Sequence, residues 1–462
     1  MRILFVSGIG GDTRRYRCSH HQQQLALRGI DSALYEANDT RLYVEATVCD
    51  LVVLHRVPWS PLIADVVDVA RGRGAPIVFE TDDLIFAPEV FHRIAYLETL
   101  PPDQAQRFRS DLAGQVETFA HCDCVLTTTE YLAEAAIERG KPAYVQRNAC
   151  SAEMVAAAEG AYTLRRQRLE QQAAQRDAGD RSGERAPVVI GYFSGSGSHN
   201  RDFATVTPVL AELMEHYPQL WLHVSGQLDV GGPLLRYWDR IRRAPYVAWQ
   251  GLPNIVAQID INLAPLELDN PFCQSKSEIK FTEAALVGVP TVASPTEAFV
   301  YAVRDGEDGL LAEGAEQWRA ALVRLIEDPD ERVRLGEAAR SHVYASYLPE
   351  TAADTLVATL RTIVERHAPP SRDPHGLLQT LAQDMLRHLE RKDAEIAQLQ
   401  RQLDALRDAQ AQWEGTSGGQ GAAFWRAELQ ARQQQQQIVL RDILARLEQE
   451  RAGRTSQGGG QG

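Results

Sequence analysis

Short runs that are apolar at nearly every position, each followed by a stretch of helical periodicity, set the narrowest limit on this fold. In the first 150 residues such runs fall at 3–7, 51–54, 77–80 and 124–128. A strand with no polar alternation must be covered on both faces, so strands of this kind form parallel sheets sandwiched by helices. Helical stretches at 17–29, ending at Gly29, and at 61–73, stopping at Gly74, supply that cover. The same alternation returns at 188–193, 221–224, 259–263 and 291–293, with helices expected at 203–216, 276–287, 315–346 and 350–366. The fold class is therefore α/β. Two Rossmann-like doubly wound domains, 1–150 and 188–346, face a cleft, and residues 347–368 add a closing helix.

Two segments break this rhythm. Residues 151–187 contain a stretch, 164–185, rich in Arg, Gln, Asp and Gly, which reads as a polar linker or surface insertion, in part helical. Beyond Pro369 and Pro370, the positions Leu378, Ala382, Met385, Leu389, Lys392, Ile396, Leu399, Leu403, Leu406, Gln410 and Trp413 alternate four- and three-residue steps. That heptad seam predicts a coiled coil over 377–413, a route to a homo-oligomer or a protein partner; a single solvated helix is the alternative. A flexible linker at 414–422, a helix at 423–451 and a disordered tail at 452–462 complete the expected organisation.

Charge and composition exclude several classes. There are 62 acidic residues against 48 Lys plus Arg, a net charge of −14 over 462 residues. That excess disfavours nucleic acid as a partner and leaves at most peripheral contact with an anionic membrane face. No run reaches the roughly 18 apolar residues of a spanning helix, and the N-terminal run meets Gly8 too early for a signal-peptide core. Six cysteines, sparse and irregular, read as reduced thiols of a cytoplasmic protein. His121, Cys122 and Cys124 lack a second ligand pair at zinc spacing, so no metal site is expected.

The most informative segment runs from 270 to 294. Ser275 and Glu278 have capping-box spacing at the start of a helix. Lys276, Lys280 and Glu283 then share one face. A helix N-terminus with two lysines suits a diphosphate, and a carboxylate suits ribose hydroxyls; a surface helix with ordinary charge pairs fits the spacing as well. The run from Lys280 through Glu283, Gly288 and Pro290 to Ser294 resembles the donor-binding signature of retaining, group-1 (family-four-like) glycosyltransferases of the GT-B fold. Residues 260–266 before it and 304–311 after it resemble the same family. The resemblance covers roughly 1–366 and is strongest at 245–345.

The resemblance implies a hexosyltransferase that takes a nucleotide-diphospho-sugar as donor substrate, needs no cofactor, and acts on a hydroxyl of a glycan or lipid-linked acceptor in cell-surface polysaccharide synthesis. It gives Glu283 the ribose hydroxyls and Lys280 the diphosphate, with Lys276 beside it. In the family a second glutamate contacts the donor sugar; here that position is Ser275. This departure supports the rival reading, a catalytically weakened binding or assembly module acting through the coiled coil. A dehydrogenase or epimerase is disfavoured by the incomplete glycine fingerprint.

Other candidates come from loops after strands. The 193–202 loop, with Gly195, Ser196, His199 and Arg201, is either a phosphate cradle or a plain Gly/Ser turn. Gly10 and Gly11 form a partial substrate loop, followed by Arg14 and Arg17, which either face the cleft as cations for a leaving diphosphate or belong to a solvated turn. His55 ends a strand where a cleft contact is expected. Asp82 and Asp83 resemble an acidic motif of some of these transferases, able to bind acceptor hydroxyls or supply a base; a turn cap is the alternative. Asn148 is expected at the hinge.

Overall fold

The strands alone explain where a ligand can sit. In a computed structural model, the chain is described at residues 1–94, 97, 100–177, 187–195, 199–367 and scattered positions between 387 and 405. The first sheet contains β1 (Arg2–Ser7), β2 (Asp31–Glu36), β3 (Leu51–His55), β4 (Ile77–Thr81), β5 (Cys124–Thr127) and β6 (Ala143–Val145). Their spatial order is β2-β1-β3-β4-β5-β6, parallel throughout. The second contains β7 (Val188–Ser194), β8 (Leu220–Gly226), β9 (Ile241–Ala244), β10 (Ile261–Ala264), β11 (Thr291–Ala293) and β12 (Leu310–Leu311), ordered β12-β11-β10-β7-β8-β9 and also parallel. Each sheet reverses its winding direction once, beside β1 in the first and beside β7 in the second. Ligands of open α/β sheets bind in the crevice beyond the strand C-termini at such a reversal.

The buried runs behave as their composition demands. Residues of β3 and β4 are buried at every position, with helices on both faces. The Pro61–Arg73 helix opens with Ser60 accepting from the Ile63 amide and closes on Gly74 at φ 92°, a left-handed residue that only glycine adopts without strain. All six cysteines are free and buried, and burial pushes the Cys124 thiol up to about 12. Among the described residues no helix is long and apolar enough to cross a membrane.

Three expectations need correction. The segment after 151 is an ordered helix, Ala152–Asp177. Met154, Ala158 and Ala161 join the core of the second lobe. Arg165, buried, donates to the carbonyls of Gly288, Ala257 and Ile259. Polar composition concealed a narrow buried stripe. The expected helix at 315–346 is two, Gly314–Glu327 and Pro329–Ser346, because Asp328 caps the second by accepting from the Asp330 and Glu331 amides. The capping box also fails to form. The functional helix is Ile279–Leu286, and Ser275 instead closes a preceding turn by donating to the Phe272 carbonyl. Glu278 is buried and accepts from the Tyr347 hydroxyl at 3.2 Å.

The lobes are tied by two chain crossings. The Cys150 amide donates to the Tyr347 carbonyl at 2.9 Å, where both crossings meet. The last helix, Pro349–His367, then returns to the first lobe, burying Leu356, Leu360 and Ile363 against Ile3, Phe5 and Leu51. The heptad positions of 377–413, with the linker, helix and tail expected beyond them, lie outside the described residues.

Candidate active site

The two sheet edges enclose a cleft of about 290 Å³. The second lobe contributes the loop after β7 (Gly195, His199), the end of β10 (Ala264 to Leu266), Lys276 and Ser277 just before the functional helix, and Lys280 and Glu283 on it. The first lobe contributes Asp12, Thr13, Arg15, Tyr16, Asp82 and Asp83. One part of the cleft is lined by the apolar Val247, Trp249, Leu252 and Val256.

The charged groups are already paired, several across the lobes. Lys276 Nζ donates to Asp83 Oδ1 at 2.8 Å. Arg56 donates to Asp82 Oδ1 at 3.2 Å and Asp83 Oδ2 at 3.0 Å. Burial works against the charge on Asp83, but Lys276 and Arg56 outweigh it and hold the carboxyl below its ordinary value. Asp83 is thus a firm hydrogen-bond acceptor and a weak proton acceptor. Lys276 is shifted up, since the attraction of Asp83 outweighs burial. Lys280 is shifted down by burial; its ammonium donates to the Phe193 carbonyl and lies 4.9 Å from the Tyr192 ring centre. Burial raises the Glu283 carboxyl, and the Tyr16 hydroxyl, which donates to it at 2.9 Å, moderates the rise.

The structure brings Glu283, Lys280, Lys276, Gly195, His199, Asp82 and Asp83 to one cleft. His199 is held by Asp202, with Nδ1 3.1 Å from Oδ2. Other expected residues lie elsewhere. Ser275 is buried beneath the cleft. Arg201 is exposed and outside the cleft lining, as are Gly10 and Gly11. Ser196 lies outside the described residues.

Two first-lobe expectations are overturned by burial and helix geometry. His55 is fully buried, with Nδ1 2.9 Å from Ser7 Oγ and Nε2 3.6 Å from Glu80 Oε2. The Ser7 hydroxyl donates to the Ile9 carbonyl at 2.7 Å, so this Ser-His-Glu grouping is a packed network and His55 cannot touch a substrate. Arg17 is likewise buried. It donates to Glu80 at 2.5 Å, to the Gln146 carbonyl at 2.8 Å and to Asn148 Oδ1 at 3.1 Å. Arg14 pairs with Glu36 at 3.0 Å, away from the cleft. The segment Arg15–Ser19 is a π-helical turn, and it is Arg15 and Tyr16, not Arg14 and Arg17, that line the cleft. Arg15 lies 4.3 Å from the Tyr16 ring centre and 5.0 Å from that of Trp249. Arg15, Tyr16 and Trp249 carry no local sequence signal that marks them as site residues, because what brings them together is contact between distant segments. Asn148 does sit at the hinge, its Nδ2 donating to Ser277 Oγ at 3.0 Å.

Comparison with known proteins points the same way. A family model described as "Glycosyl transferase-like" matches residues 207–358. The D-inositol 3-phosphate glycosyltransferase of Corynebacterium urealyticum is 35% identical over 98 residues, 20% of this chain and 23% of that protein. Its namesake from Stackebrandtia nassauensis is 36% identical over 94 residues, 20% of this chain and 21% of that protein. The chain thus spans less than a quarter of the length of these curated relatives. Among solved structures, Anabaena Alr3699/HepE in complex with UDP and glucose aligns with TM-score 0.52 and 16% identity, over 78% of this chain and 100% of that one. A glycosyltransferase from Rickettsia africae aligns with TM-score 0.51 and 13% identity, over 79% and 99%. These two likenesses concern the fold, two parallel Rossmann-like lobes in the GT-B arrangement.

Proposed function

We propose that this chain is a glycosyltransferase that moves a hexosyl group, with retention, from a nucleotide-diphospho-sugar to a hydroxyl of a glycan or lipid-linked acceptor in cell-surface polysaccharide synthesis. The reading includes a cytoplasmic location with at most peripheral membrane contact. One observation carries it: a single short helix delivers Lys280 and Glu283 into an interlobe cleft whose opposite wall holds a carboxylate pair. The UDP in the Anabaena structure, the transferase-like family model over 207–358 and the transferase relatives support it.

The chemistry asks little of the protein beyond placement and charge. Glu283 accepts from the ribose hydroxyls, while Lys280 and the loop after β7 face the diphosphate. The bond from the anomeric carbon to the phosphate oxygen breaks, and the acceptor oxygen bonds that carbon on the same face. The acceptor proton passes to the departing phosphate. Asp83, held ionised, accepts from a sugar hydroxyl and orients it. Positioning and preorganised charge lower the barrier.

Titration with UDP, GDP and ADP, followed by hydrolysis and transfer assays with the matching sugar nucleotides, tests the reading. Glu283→Ala should weaken nucleotide binding about tenfold or more, as expected for a lost hydrogen bond to a charged group. Unchanged binding and turnover in that variant would overturn the assignment. Tight binding with neither hydrolysis nor transfer would favour the assembly-module reading, which Ser275 motivates. The anomeric configuration of the product, read by proton NMR, decides retention.

A further inference from the structure

The Tyr16 contact adds a role for the first lobe that the donor half alone does not contain. Tyr16 is 3% exposed, and its hydroxyl crosses between lobes to Glu283. Beside it, Arg15 bonds Asp12 at 3.0 Å and covers Trp249, while the Tyr246 hydroxyl donates to Asp12 at 3.1 Å. The first lobe therefore touches the second at three points around the apolar part of the cleft. Glu283 must be ionised and fixed in direction to accept two ribose hydroxyls. Arg15 and Lys280 favour its charge, and the hydrogen bond from Tyr16 fixes its direction.

We propose that Tyr16 is a positioning residue for the nucleotide: it holds Glu283 in the orientation that receives the ribose, so the first lobe governs donor affinity. The inference rests on the glycosyltransferase reading. Arg15 and Tyr16 reach the second lobe from a π-helical turn, while the adjacent Arg17 and Cys18 stay in the first-lobe core. π turns are frequent at functional sites.

Electrostatics agree with the geometry. The groups facing Glu283 are Tyr16, Arg15 and Asp12 from the first lobe, Lys280 from its own helix, Cys150 at the hinge and Tyr246 from the loop after β9. Burial raises Glu283, whereas Tyr16, Arg15 and Lys280 lower it and Asp12 raises it. Removing the Tyr16 hydroxyl removes a lowering influence. Ionised Glu283 then persists over a narrower range, and nucleotide binding is lost at a higher pH.

The test is full-length Tyr16→Phe, titrated with UDP, GDP and ADP across pH, beside the wild type, Glu283→Gln and the double variant. Tyr16→Phe should weaken binding of the preferred nucleoside diphosphate about tenfold, the scale of a hydrogen bond to a charged group. The acid limb should move to higher pH, because a lowering influence on Glu283 is gone. In the Glu283→Gln background the same change should cost less than about twofold, because coupled residues are not additive. A Tyr16→Phe protein with wild-type affinity and an unmoved acid limb, while Glu283→Gln still weakens binding, overturns the Tyr16 role and leaves the transferase reading intact. Additive losses with an unmoved acid limb also overturn it, since a general packing defect behaves that way. A wild type that binds none of the three nucleotides overturns both.

Discussion

Arg15 and Arg17 stand two residues apart and do opposite work. Arg15 is in the cleft; Arg17 is sealed beneath it, pairing with Glu80 and joining the strand edge to the hinge through Gln146 and Asn148. Both partners of the Arg17–Glu80 pair are fully buried. Breaking such a pair from one side leaves an uncompensated charge, which costs about 3–5 kcal/mol. Arg17→Met should therefore lower stability by about that amount in chemical denaturation, more than Arg14→Met, whose pair with the exposed Glu36 is worth about 0–1 kcal/mol. Equal stability of the two variants would refute the structural role given to Arg17. Arg56 is a second case in which a backbone detail decides a side chain's use. It has φ 50°, alone among described non-glycine residues, and this left-handed turn aims its guanidinium at both Asp82 and Asp83. Strain of this kind is found where surrounding contacts over-determine it. Here the Arg56 amide donates to the Glu80 carbonyl at 3.0 Å, and Gln115 donates to the Arg56 carbonyl at 3.2 Å.

At the scale of elements, the functional helix is fixed from behind by glycine packing. Gly288 ends the turn after Ile279–Leu286 at φ 69°, and its carbonyl faces Gly336 on the Pro329–Ser346 helix. A Cβ on Gly336 would lie 2.1 Å from that carbonyl oxygen, backbone against backbone, so one helix must move. Gly336→Ala should cost about 1–3 kcal/mol by overpacking and also weaken nucleotide binding, because the element displaced carries Lys280 and Glu283. A melting temperature and a nucleotide titration check both parts; a variant with wild-type values in each would show that the helices absorb the methyl group. Elements of this sort were largely legible in the chain. The buried runs at β1, β3, β4, β5, β7 and β11 announce themselves because an apolar strand has few alternatives. The edge strand β6 escapes notice, since its residues are half-exposed and mixed. In the site, Lys280 and Glu283 could be read from local spacing. The Tyr16 and Trp249 contributions could not, because each depends on contacts between segments more than 200 residues apart.

The two lobes act as one body because the chain crosses twice and the last helix goes home. That helix buries Leu356, Leu360 and Ile363 in the first-lobe core, and Arg28 pairs with Asp354 at its outer side. Fully burying side chains of this type is worth about 1.5–3 kcal/mol each, so the three together rival the whole stability of a domain, about 5–15 kcal/mol. A chain ending at 348 should consequently fail to show a cooperative melt, though every strand of both sheets is present. One ending at 372, the boundary of the first compact unit, should melt like the full chain and bind the same nucleotide. Cooperative melting of the shorter protein would mean that the first sheet is held without its returning helix. The 372-residue protein also isolates the contribution of the heptad segment 377–413. If the segment forms the coiled coil that its heptad pattern predicts, Lys392 and Gln410 are polar interruptions on the seam, of the kind that costs affinity and fixes register. Full-length protein should then show a mass of two or more chains by light scattering, and the 372-residue protein a mass of one. Donor affinity per chain should be equal in the two, because the cleft is built wholly from residues before 300. The same chain number in both proteins would remove self-association from the seam's role and leave it to a different partner.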